Sequence, residues 1–179
     1  MHLELSHIRQ AETEFSKVFD EADLAEADDD YRVTAPVDLR MVVQKDHDRF
    51  RLVGTVVTAL ELGCSRCLEP FALPIDRRFD LRYLPSTAHE AAGEKPEAEV
   101  EDDDVAITFY RDDRIDLRAL VREQFYLALP MKPLCSEECR GLCSQCGTNL
   151  NAGTCDCAPV RDESPFAALE GLGRSREPS

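Results

Sequence analysis

Between Val37 and Val43 every second residue is apolar: Val37, Leu39, Met41 and Val43. Alternation of that period marks a strand with one buried face. A polar, turn-forming run follows, Lys45-Asp46-His47-Asp48. The alternation then resumes through Phe50, Leu52, Val56, Leu60 and Leu62, with Gly54 and Thr58 at the intervening in-phase positions. After Cys64-Ser65-Arg66-Cys67, Phe71, Leu73, Ile75, Phe79, Leu81 and Tyr83 predict a third strand. Arg77 breaks its phase. Pro74 has no N–H to give to a ladder and predicts an edge strand or a bulge. Three alternating runs joined by short turns indicate an antiparallel β-sheet, or a partial barrel, with one face buried.

The pattern is weaker elsewhere. Leu3, Leu5 and Ile8 suggest a short strand. Phe15, Val18, Phe19 and Ala22 fall at helical spacing and predict a short helix or turn ahead of Asp28-Asp29-Asp30. Strand character returns from Val105 to Tyr110. Asp116 is placed to cap a helix whose apolar face is Leu117, Leu120, Val121, Phe125, Ala128 and Leu129, stopped by Pro130 and Pro133. Its expected role is to pack on the sheet. Ser164-Pro165 opens a short closing helix lined by Phe166, Leu169 and Leu172.

Residues 86–104 carry eight acids, one lysine and no large apolar residue. Such a segment cannot bury enough surface to offset its ordering entropy, so a disordered, solvated loop is expected. An acidic arm for a basic partner is the functional alternative. The chain thus reads as α+β. Residues 1–134 form a sheet with one packed helix and the acidic loop. Residues 135–179 form a cysteine-rich, zinc-binding segment that shares one site with the sheet and ends in the short helix.

Composition adjusts this picture only slightly. Apolar residues make up 43%, enough for a core, and with no Trp and 7% aromatics that core is expected to be aliphatic. No apolar run approaches the roughly 18–20 residues of a membrane span, and the N-terminus lacks a signal-peptide pattern. A soluble, cytoplasmic protein is expected. The formal net charge of -15 disfavours wholesale binding of nucleic acid and favours a basic partner. Much of that charge lies in Asp20–Asp30 and Glu90–Asp104, which leaves room for a local basic face.

Eight cysteines carry the strongest chemical signal: Cys64, Cys67, Cys135, Cys139, Cys143, Cys146, Cys155 and Cys157. In a reducing compartment such a set reads as metal ligands rather than disulfides. They form four short pairs, CSRC, CSEEC, CSQC and CDC, and a short pair in one turn supplies two thiolates to a tetrahedral zinc. Four pairs make two structural zinc sites. Cys143-Ser144-Gln145-Cys146-Gly147 has the form of a zinc knuckle, with Cys155 and Cys157 close enough in sequence to complete a local site. Cys64 and Cys67 then join Cys135 and Cys139 in a clamp between the sheet and the C-terminal segment. The rival arrangement joins 64/67 with 143/146 and 135/139 with 155/157. The spacing favours the first and leaves the second open.

Four thiolates fill a zinc ion's coordination sphere, so both sites are expected to be structural. CxxC redox chemistry needs a helix N-terminus after a strand, whereas Cys64 and Cys67 lie between two strands. His2, His7, His47 and His89 are scattered, and neither a phosphate-binding glycine loop nor HExxH occurs. No catalytic residue is assigned.

Three segments together resemble a known family: LGCSRCLEPF at 62–71, IDLRALVREQFYLALPMKPLC at 115–135, and CRGLCSQCGTNLN at 139–151 followed by CDC. Their order and spacing are similar to the YceD family of large ribosomal RNA subunit accumulation proteins. The closing SPFAALEGL resembles that family's terminal helix. The resemblance implies a non-enzymatic ribosome-biogenesis factor needed for accumulation of 23S rRNA, and brings no catalytic residues with it. Expected partners are a large-subunit precursor, a ribosomal protein or an rRNA-processing factor. Limited RNA contact through Arg66, Arg77 and Arg78 near the CSRC turn is the basic-patch alternative, against ordinary solvated arginines. The competing classes are a zinc-stabilised general adaptor and a zinc hydrolase or thiol oxidoreductase.

Overall fold

Two long strands, β5 (Arg49–Gly63) and β6 (Pro70–Pro85), run side by side without a break in register, from Phe50 opposite Tyr83 to Gly63 opposite Pro70. They form the spine of the computed structural model, which describes residues 1–24, 30–86 and 107–157. The other elements are β1 (His2–Glu4), β2 (Glu12–Phe19), α1 (Glu21–Leu24), β3 (Tyr31–Val33), β4 (Val37–Asp46), β7 (Ile107–Tyr110), β8 (Arg114–Asp116) and α2 (Leu117–Ala128), with a 3-10 turn at Leu5–His7.

The six-stranded sheet has the order β2-β4-β5-β6-β7, and β3 pairs with the stretch of β5 that lies beyond the reach of β4. Neighbours are antiparallel except β7, which lies parallel to the end of β6. Edge strands β2 and β7 do not meet, so the sheet is open and mixed rather than a closed barrel. A separate two-stranded sheet pairs β1 with β8. The acidic segment from 87 to 104, Asp28 and Asp29, the start of the strand expected at Val105, and the closing helix from Ser164 lie outside the described residues.

Along β5 the in-phase residues Phe50, Leu52, Val56, Thr58, Leu60 and Leu62 are buried while Arg49, Arg51, Val53 and Val57 are exposed. The expected turn after β4 tightens to His47-Asp48, because Asp46 already pairs with Arg49; His47 takes a φ of 54° there. Pro74 interrupts no ladder. Ala59, opposite Pro74, turns its carbonyl to the Thr34 N–H at 3.0 Å, on the far side of β5. In an antiparallel pair the Pro74 nitrogen must then face the other way, toward an edge that β7, among the described residues, covers from Arg82 onward. Arg77 keeps the strand phase and faces inward, half-buried, with Nε lacking a hydrogen-bond partner among the described residues.

The N-terminal segment corrects the helical expectation. Residues 12–19 are a strand paired with β4, from Glu12 opposite Gln44 to Phe19 opposite Val37. Helical spacing of Phe15, Val18 and Phe19 was misleading, because Val18 is 61% exposed while Phe19 is fully buried. Thr13, Phe15, Lys17 and Phe19 are instead the inward set, and the open edge of β4 offers them a full ladder. Helix begins only at Glu21.

Helix α2 lays Leu117, Leu120, Val121 and Phe125 on the core that Leu39, Leu52, Val56 and Leu60 provide from the sheet. The Phe125 ring meets Tyr31 edge-on at 5.6 Å. Asp116 caps the helix, accepting from the Arg118 N–H at 2.9 Å and the Ala119 N–H at 3.4 Å. Asp116→Ala is expected to cost about 1 kcal/mol. A thermal melt should register that as a fall of roughly 2–4 °C for a chain of this size.

Candidate metal centres

Strand β5 delivers Cys64 directly after Gly63. The CSRC turn closes through the Cys64 N–H to the Glu69 carbonyl, at 2.9 Å, and the Leu68 N–H to the Cys64 carbonyl, at 2.9 Å. Leu68 sits at a φ of 62°, the bend that turns the chain back so that the Glu69 carbonyl meets the Cys64 N–H. Helix α2 ends before Leu129, and the chain returns to this turn, where the Ser65 N–H donates to the Pro133 carbonyl at 2.8 Å. That bond brings Cys135 and Cys139 against the strand end. Cys64 and Cys139 sulfurs lie 3.7 Å apart, as do those of Cys67 and Cys135, and all four lie within 4.8 Å of one another.

Downstream, Cys143 and Cys146 occupy a tight loop. The Gly147 N–H donates to the Cys143 carbonyl at 2.9 Å, and the Cys143 N–H donates to the Thr148 carbonyl at 2.9 Å. Gly147 takes a φ of 72°, which a side chain would oppose. Cys155 and Cys157 complete a second group whose sulfurs are again within 4.8 Å. The grouping is therefore 64/67/135/139 and 143/146/155/157, and the rival pairing does not occur.

These distances suit a cation rather than a disulfide. A metal–sulfur bond of about 2.3 Å sets tetrahedral sulfur–sulfur edges of roughly 3.8 Å. A disulfide would bring the atoms to about 2.05 Å. Each group could hold one metal ion, and four thiolates would leave it no open position. Each group has one exposed cysteine, Cys135 in the first and Cys146 in the second; the first is the better enclosed because its other three are buried, whereas those of the second are half-buried.

Local donors prepare some thiolates and neighbouring sulfurs resist the rest. Cys64 is pulled down to about 6, chiefly by the Cys67 backbone N–H. Cys146 is pulled down to about 6, chiefly by the Thr148 hydroxyl 3.1 Å away. Cys135 is pushed up to about 12, first by Cys139, and Cys157 to about 12, first by Cys146. Near neutral pH the metal-free groups therefore retain protons that an ion must displace. Metal uptake should release at least one proton per ion, and affinity should fall as pH falls. Competition titrations at several pH values, with proton release followed in weak buffer, check both.

Arg66 was a candidate RNA contact, but its Nη1 donates to the carbonyls of Glu137, at 3.2 Å, and Cys139, at 2.8 Å. Its own carbonyl accepts from the Leu142 N–H at 3.1 Å. Arg66 thus fastens the ligand loop. Gly141, at a φ of 75°, lies so close that a Cβ there would stand 3.0 Å from the Arg66 carbonyl oxygen. Arg77 faces the core side of β6 and Arg78 the opposite side, so the three arginines do not form one patch. Sequence reasoning passed over Asn149, Asn151 and Thr148, although the polar run after Gly147 was the available signal. The Asn151 side chain donates to the Cys139 sulfur at 3.2 Å and holds that thiol below its usual range.

Comparison with known proteins points one way. The family described as large ribosomal RNA subunit accumulation protein YceD matches residues 52–173, a stretch that contains both sulfur groups. A chloroplastic large ribosomal RNA subunit accumulation protein YCED homolog 1 of Zea mays is 29% identical over 157 residues, 76% of this chain and 53% of its own length. The Arabidopsis thaliana protein of that name is 27% identical over 170 residues, 80% of this chain and 50% of its own. An uncharacterised protein of Mycobacterium tuberculosis is 30% identical over 117 residues, 65% of this chain and 52% of its own. The chain therefore spans about half the length of these relatives. No solved structure matches it.

Proposed function

Because the chain belongs to the YceD family of large ribosomal RNA subunit accumulation proteins, we propose that it is a cytoplasmic, non-enzymatic ribosome-biogenesis factor supporting accumulation of 23S rRNA. The family match over residues 52–173 carries this reading. It spans the CSRC turn, α2 and both sulfur groups. The ions are zinc, and they stabilise rather than catalyse. All-thiolate donor sets support zinc, and their completeness supports a structural role.

Binding, not chemistry, is the mode of action. The partner is a large-subunit precursor, a ribosomal protein or an rRNA-processing factor. Arg66 is engaged within the protein, and Arg77 and Arg78 lie on opposite faces of β6, which favours a protein contact over an RNA contact at the CSRC turn. Gradient sedimentation of cell extract tests the proposal. The protein is expected in fractions of the large-subunit precursor, and its depletion should lower 23S relative to 16S rRNA. Recovery only among free proteins, with an unchanged rRNA ratio, would overturn it.

A further inference from the structure

Asn151 lies in the loop between Cys146 and Cys155, which the second sulfur group closes, yet its side chain reaches the first group. Its Nδ2 donates to the Cys139 sulfur at 3.2 Å, and its Oδ1 accepts from the Arg140 N–H at 2.7 Å. The amide orientation is thereby fixed, since oxygen meets an N–H and nitrogen meets a sulfur. Its backbone N–H donates to the Asn149 side-chain oxygen at 3.0 Å, which holds the bend. The adjoining Leu150 N–H donates to the Gly141 carbonyl at 2.9 Å. Leu142, which pairs with Asn149 across this loop, also packs against Cys64, Cys67 and Cys139. Loop and first centre therefore share hydrogen bonds and apolar contact. An ordinary loop bond needs no partner at a metal ligand; this one ends on the ligand atom itself.

We infer that Asn151 couples the two centres: an ion held by Cys143, Cys146, Cys155 and Cys157 fixes the loop that sets Asn151 on Cys139, and so raises the affinity of the first centre for its own ion. Groups that orient metal ligands from outside typically change affinity by about 10–100-fold. Linkage makes the effect reciprocal, so an ion in the first centre tightens the second by the same factor. The order of filling follows from chain length. The second group closes a short local loop, whereas the first joins Cys64 to Cys139 across 75 residues. The local centre fills first, and the clamp follows.

This inference rests on the metal-binding part of the proposed function, and the test separates the two. The probe is cobalt(II), whose absorption reports tetrahedral thiolate binding, buffered by a competing chelator. The full chain is titrated as wild type, as C143S/C146S with only the first centre, and as C135S/C139S with only the second. Each is repeated with Asn151→Ala. In wild type the product of the two affinities should exceed the product of the single-centre values by about 10–100-fold. With Asn151→Ala that excess should fall to near one. Asn151→Asp keeps the acceptor for Arg140 and loses the donor to sulfur; it should lose the excess too, and it decides the matter if the alanine variant does not fold. Equal products in wild type, or an excess that persists without the Asn151 amide, would overturn the coupling. Wild type that forms no cobalt–thiolate absorption would overturn the metal reading itself.

Discussion

Cys64→Ser is expected to lower the bound metal from two ions to one and to release residues 133–142 from the end of β5. Native mass spectrometry counts the ions, and hydrogen exchange locates the release. The amides to watch are Ser65, which donates to Pro133, and Leu142, which donates to Arg66. Both bonds persist only while the first sulfur group holds its two chain segments together. A structural zinc contributes on the order of 10–16 kcal/mol in zinc-finger peptides, where metal binding is the folding energy. The effect here should be more local. The main core, from Leu39 and Leu52 to Phe125, forms a cluster separate from the one around Cys64, Cys67 and Cys139. Strand amides of β4 and β5 should keep their protection. Cys146→Ser should also remove one ion, but with exchange rising mainly over 141–157. If both variants unfolded the whole chain alike, the division into a clamp and a local centre would be wrong.

Gly54→Ala should be the most damaging small substitution in the sheet. Gly54 sits in mid-strand between Met41 of β4 and Phe79 of β6. A Cβ there would stand 2.3 Å from the Arg40 carbonyl oxygen, 2.6 Å from Met41 Cβ and 2.8 Å from Phe79 Cζ. Intrinsic preference argues the other way, since glycine in a strand interior weakens it by about 0.5–1 kcal/mol relative to alanine. Steric cost wins, because one of the obstructing atoms is backbone and cannot rotate aside. Overpacking of a close-packed core costs typically 1–3 kcal/mol, and this site belongs at about 3 kcal/mol or above. Gly63→Ala is the control. Among the described residues nothing lies within 4 Å of its Cβ position, so the variant should be neutral or slightly more stable. Denaturant melts of the two variants measure the contrast; similar midpoints would refute the packing argument.

Strands β4, β5 and β6 and helix α2 were legible in the sequence because each buries one face only, so its period survives in the residue pattern. The Asp116 cap was legible for a local reason, an acceptor two and three residues from the N–H groups it satisfies. Strand β2 was not, because Phe15 and Phe19 fit either period while Val18 fits only the helical one, and the free edge of β4 decides for the strand. Neither the pairing of β3 with the far end of β5 nor the parallel placement of β7 leaves a mark in either segment alone. At the sulfur groups, ligand pairing could be read because short loops close more readily than long ones. The work of Arg66 and Asn151 could not, since each bonds across the chain to atoms that sequence does not place nearby.

The span of the first centre also has a meaning in time. Cys64 and Cys139 are 75 residues apart along the chain. At a synthesis rate of about 5–20 residues/s, the earlier ligands wait roughly 4–15 s for the later ones. During that interval Cys64 and Cys67 form an incomplete pair at the tip of a nascent hairpin, open to oxidants and to the wrong metal. The long β5–β6 hairpin is thus translated with its clamp half built, and the fastening waits for Cys135 and Cys139.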